Sequence, residues 1–123
     1  MESDTLRSGE MLEKYFAQLD SLKQVKNLLH LEALWSGEFW FIAANEFPYD
    51  MIAETHHLLV PHRVFAEAWE MTIPEIVELN KIKERVGMDY DSINENTHKR
   101  RSVGRHYHLH LLKYKKLTDY NHG

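Results

Sequence analysis

The sequence predicts an α+β domain: an antiparallel sheet of about five strands, one long helix packed on it and an extra helix at the N-terminus. Three observations lead there. Apolar residues recur at helical spacing in two separate stretches. Short aromatic and aliphatic runs bounded by turn residues lie between and after them. Finally, 123 residues suffice for one hydrophobic core and are too few for two.

Taken in order, Leu12, Tyr15, Phe16, Leu19, Leu22, Val25 and Leu29 follow each other at steps of mostly three and four residues. This is the period of an amphipathic helix from Ser8 to about Leu29, with Asp20 and Ser21 the place for a break. Residues 1–29 thus form a helical extension to a domain covering 30–123. Next, LHLEALW and EFWFIAAN flank Ser36-Gly37, a dipeptide suited to a tight turn, and predict a hairpin. The segment NEFPYD turns about Pro48, and His57 to Val60, ended by Pro61, predicts a third strand. Thr72-Ile73-Pro74-Glu75 is a helix start with cap, proline and capping-box glutamate, predicting a helix over 72–87. Ile73, Ile76, Val77, Leu79, Ile82 and Val86 mark its buried stripe, and Gly87 offers a left-handed stop. Tyr90 to Glu95 predicts a fourth strand, Asn96 to Arg101 a polar basic loop, and Val103 to Tyr114 the last strand. The aromatic residues Trp35, Phe39, Trp40 and Phe41 are expected in the core.

Composition narrows the function. There is no cysteine, which excludes disulfides, thiolate metal sites and cysteine nucleophiles. No apolar run nears the roughly 20 residues of a membrane-spanning helix, and MESDTLRSGE lacks the pattern of a secretory signal. The cytoplasm is therefore the expected compartment, with no membrane partner. Net charge is −4, yet Lys99, Arg100, Arg101, Arg105, Lys113, Lys115 and Lys116 fall in a stretch without a single acid. A basic tract inside an acidic chain suits a local anion site better than general nucleic-acid binding.

The chemistry concentrates in RHYHLHLLKY, where His106, His108 and His110 alternate with Tyr107, Leu109 and Leu111. On an extended segment, alternate side chains share a face, about 6.6 Å apart, so three imidazoles form a row. Neutral imidazole is a nucleophile toward phosphorus and its protonated form donates to phosphate oxygens, and both forms coexist near pH 7.

HYHLHLL resembles the His-x-His-x-His motif of the histidine triad (HIT) family of nucleotide hydrolases and transferases. The likeness extends upstream in matching order, through Asn45-Glu46-Phe47-Pro48-Tyr49, Thr55-His56-His57-Leu58-Leu59-Val60-Pro61, Asn94-Glu95 and Ser102-Val103. It covers about residues 30 to 112. The resemblance implies a HIT-like fold, a homodimer, and attack on the α-phosphate of a nucleotide through a covalent nucleotidyl-histidine. The implied substrates are nucleotide phosphoramidates or dinucleoside polyphosphates, with no cofactor. His108 matches the nucleophile, and His110 a donor to a non-bridging phosphate oxygen. His106 and His56 match the pair that supports ring orientation and tautomer. Ser102 matches a residue near the leaving group or phosphate, Asn94 a phosphate-side amide, and Asn45 the ribose contact. The chain departs from the pattern in three places. Eleven steps separate Asn45 from His56 where eight are common, and four separate Ser102 from His106 where three are common. A basic segment replaces the glycine-rich stretch, which makes Arg105 and Arg101 candidates for phosphate binding.

Two other classes compete. Two histidines two apart on a strand can chelate zinc, with His56 or a carboxylate as a third ligand. A noncatalytic nucleotide-binding protein with the same fold would keep the pocket and lack the chemistry.

Overall fold

The computed structural model describes residues 6–24, 27–97 and 103–116. Its elements are α1 (Gly9–Gln24), β1 (Ala33–Ser36), β2 (Trp40–Ala44), β3 (Ala53–Pro61), a 3-10 turn (Ala68–Glu70), α2 (Ile73–Val86), β4 (Ser92–Asn94) and β5 (Leu109–Tyr114). The five strands form one antiparallel sheet in the order β1-β2-β3-β5-β4. The predicted α+β class, strand number and two helices are therefore observed.

The sheet has two differently covered faces. Trp40, Ile42, Leu59, Leu109 and Leu111 point to one and meet Leu79, Ile82 and Val86 of α2, together with Phe65 and Tyr107. Trp40 is fully buried, its indole N–H donating to the Glu75 carbonyl at 2.9 Å. An indole satisfied in this way contributes its apolar area without stranding a donor. On the opposite face Phe41, Ala43, Leu58 and Val60 pack with Leu28 and Val103. By strand alternation His56 and His110 belong to this second face, because Leu58 pairs with His110.

α2 begins as its residues require. The Glu75 amide donates to the Thr72 hydroxyl, the Glu75 carboxylate accepts from the Thr72 amide at 2.7 Å, and Arg63 adds an ion pair to Glu75 at 2.8 Å. Two expectations are corrected. Gly87 ends the helix in the right-handed region, φ −59°, with its N–H still reaching the Lys83 and Arg85 carbonyls. The buried stripe is also narrower. Ile73, Ile76 and Val77 are 77%, 41% and 47% exposed, because the sheet reaches only Leu79, Ile82, Val86 and the buried, ion-paired Glu75.

The strands differ from the sequence reading in extent. β3 starts at Ala53 rather than His57, since as the central strand it is hydrogen-bonded along both edges. The hairpin loop spans Gly37 to Phe39, held by Glu78, whose carboxylate accepts from the backbone N–H groups of Glu38, Phe39 and Trp40. A Cβ on Gly37 would meet the tip of the Trp35 ring at 2.7 Å and the Glu78 carboxylate at 3.0 Å, so any larger residue here requires those side chains to shift. β5 begins at Leu109, with a turn at Gly104-Arg105 where a strand was expected. The N-terminal helix is described over Gly9–Gln24, and residues 27–29, where it was expected to continue, are not helical. Its first turn is capped by Ser8, whose hydroxyl accepts from the Met11 N–H and donates to Asp50.

Candidate functional site

Because Leu58 pairs with His110 and His56 with Leu112, His56 and His110 are diagonal neighbours on one face of the sheet. Their rings meet: His56 Nε2 lies 2.7 Å from His110 Nδ1. The Tyr49 backbone N–H donates to His56 Nδ1 at 3.0 Å, so the His56 proton sits on Nε2 and is donated to His110. The His110 proton is then on Nε2, 3.1 Å from the Asn96 amide. A continuous chain follows if Asn96 turns its amide oxygen to that N–H. The Tyr49 ring covers this pair, 4.3 Å from the His56 centroid and stacked at 5.7 Å on His110.

His108 stands edge-on to His110, ring centroids 5.2 Å apart. Its Nδ1 donates to the His106 carbonyl at 2.8 Å, which leaves the lone pair on Nε2. All four histidines are buried, His108 the least so with 9% of the residue exposed.

The expected three-ring row is interrupted at His106. That ring is fully buried, with Nδ1 accepting from the Leu28 N–H and Nε2 donating to the Pro61 carbonyl, both at 2.8 Å. Its imidazole ties the segment after α1 to the end of β3, and its backbone oxygen, rather than its ring, orients His108. His56 in turn contacts His110. The interruption arises because residues 106–108 precede the strand. The Tyr107 amide bonds to the Phe65 carbonyl at 2.6 Å instead of continuing the ladder.

Electrostatics keeps these rings neutral. Burial, reinforced by the Arg7, His57 and His108 charges, holds His56 well below the ordinary histidine range. Burial does the same for His110, helped by His108, His56 and Arg7. His106 is also lowered by burial, against the raising effect of its bonds to backbone carbonyls.

Other predicted residues are placed as follows. Asn45 follows β2 beside His56, its amide nitrogen 3.2 Å from His56 Nε2 and its oxygen accepting from the Phe47 N–H. Asn94 pairs with His110 across β4 and β5, and its amide bonds to the Ser92 hydroxyl. Arg105 is exposed in the turn before His106. Ser102 and Arg101 lie outside the described residues. Three contributors escaped the sequence reading. Tyr49 was visible only as part of the NEFPY block, Asn96 as a loop residue, and Arg7 carried no signal.

Among the described residues no group of three or more histidines and carboxylates is arranged to hold a metal ion, and no helix is long and apolar enough to cross a membrane. No model of a known protein family matches the sequence, and no curated protein matches it.

Proposed function

We propose that the protein is a HIT-like nucleotide hydrolase or nucleotidyl transferase acting through His108. The observation that carries this reading is the Nδ1–H of His108 donating to the His106 carbonyl, 2.8 Å away. This fixes the tautomer a nucleophile needs. The Nε2 lone pair forms a bond to the α-phosphorus while the bond to the leaving group breaks, and the leaving group departs with that electron pair. The ring, substituted at both nitrogens, becomes cationic. The carbonyl already aimed at Nδ1–H stabilises that charge without rearrangement. Water then forms the new oxygen bond to phosphorus as the nitrogen–phosphorus bond breaks. A nucleoside monophosphate and one proton are released.

His110 supports the step by presenting an Nε2–H beside His108, which a phosphate oxygen would take over from Asn96. Nucleotide phosphoramidates and dinucleoside polyphosphates are the proposed substrates, with Asn45 near the ribose, Asn94, Ser102 and Arg105 toward the phosphates, and no cofactor. A homodimer in the cytoplasm completes the proposal.

The test is mass spectrometry of the intact protein after brief incubation with a panel of both substrate types, comparing wild type with His108→Ala. A nucleoside monophosphate adduct in wild type alone is expected. Substrates left intact across the panel would favour the noncatalytic nucleotide-binding reading.

A further inference from the structure

The N-terminal segment has no part in the chemistry just described, yet it is bonded closely to the loop that holds the histidines. Arg7 Nε donates to the Phe47 carbonyl at 2.8 Å. Its guanidinium lies 4.2 Å from the Tyr15 ring centroid and 4.8 Å from that of Tyr49, so it sits against an aromatic ring of α1 and one of the site. Beside it the Ser8 amide and hydroxyl both donate to the Asp50 carboxylate at 2.6 Å, and the Met51 amide donates to the Leu6 carbonyl at 2.9 Å. These contacts span residues 47–51. In the middle of that loop, Tyr49 supplies the N–H to His56 Nδ1 and the ring over His56 and His110.

We propose that Arg7 is a positioning residue for the histidine site, acting through Tyr49: by fixing the 47–51 loop it sets which nitrogen of His56 carries the proton. If Tyr49 withdraws, His56 Nδ1 loses its 3.0 Å donor and keeps only the Asn45 amide nitrogen at 3.4 Å, which lies as near to Nε2, at 3.2 Å, and so selects neither; a neutral imidazole can then hold its proton on either nitrogen. The direction of the bond to His110 is then undetermined, and with it the N–H that His110 presents. The extension beyond the HIT-like domain thus becomes part of the site. The proposal rests on the assignment of these rings as the site, although the tautomer claim itself does not require catalysis.

Charge acts in the same direction. The titratable groups bearing on the His56–His110 pair are Arg7 from the N-terminal segment, Tyr49 from the loop, His57 on β3 and His108 before β5. The cationic Arg7 opposes protonation of both rings.

The experiment is long-range nitrogen–proton NMR of the histidine side chains in the full chain, which reads each tautomer directly, for wild type, Arg7→Met and Arg7→Lys. Wild type is expected to show His56 with its proton on Nε2 alone. In R7M a His56 Nδ1–H population should appear, and the acid midpoints of His56 and His110 should move up. R7K, which keeps the charge and lacks the planar fork, should return the midpoints toward wild type while the mixed tautomer persists. A folded R7M with unchanged tautomers and midpoints overturns the proposal. If R7M fails to fold, R7K is read alone: with the planar fork gone, a His56 tautomer unchanged from wild type there overturns the proposal equally. Because the readout is the free protein, a tautomer shift without any nucleotidyl adduct would sink the proposed function and leave this inference standing.

Discussion

His56 and His110 share one buried proton: Nε2 of the first donates to Nδ1 of the second across 2.7 Å, with 4% and 6% of the two residues exposed. Removing either ring strands a nitrogen of the other where water scarcely reaches. His56→Phe and His110→Leu should each lower stability by about 1–3 kcal/mol. The double variant should lose clearly less than the sum, since neither ring is then left to strand a nitrogen for want of the other. Urea titration of the four proteins checks this, and strict additivity would show that the bond contributes nothing.

The same burial gives stability a pH dependence with a definite sign. His56, His106 and His110 are each held by burial below the ordinary histidine value of 6.5 in the folded chain. The unfolded chain therefore binds more protons once the pH falls below about 6.5, and folding stability drops with it. The full contribution is present above pH 6.5. Below that, each ring protonated only when unfolded removes about 1.4 kcal/mol per pH unit until its folded value is reached. Urea midpoints at pH 7.5 and pH 5.5 should differ in this direction. A flat profile over that range would contradict the buried neutral rings.

His106 should behave as a structural cross-link. His106→Leu leaves the Leu28 N–H and the Pro61 carbonyl without their partner and should cost about 2–5 kcal/mol. His106→Gln, able to satisfy one of the two, should cost less. At a temperature where both variants remain folded, the His108 bond to the residue-106 carbonyl survives, so nucleotidyl transfer should persist in both. Loss of adduct formation in a folded His106→Gln protein would instead assign its ring to the chemistry.

Much of the fold was legible because its signals are local. The Thr72 and Glu75 capping box needs only three residues of spacing and formed as read. The hairpin partners around Gly37 were legible for the same reason. The length of its loop was not, because it depends on Glu78, forty residues away from Glu38. Likewise the stripe of α2 was read from periodicity, which says which residues share a side and not how much of that side the sheet covers. Ile73, Ile76 and Val77 lie beyond that cover.

Local patterns suffice for the α+β class, for where the two helices begin and for the three histidines in alternate positions at 106, 108 and 110, since backbone periodicity and capping act over a few residues. What each histidine nitrogen bonds to is set by contacts between distant segments. The pairing of β3 with β5 places His56 against His110, 54 residues away, and the docking of Ser8 onto Asp50 closes a separation of 42. Register and docking come from the summed packing of distant segments, and a hydrogen bond forms between the atoms that packing leaves within reach.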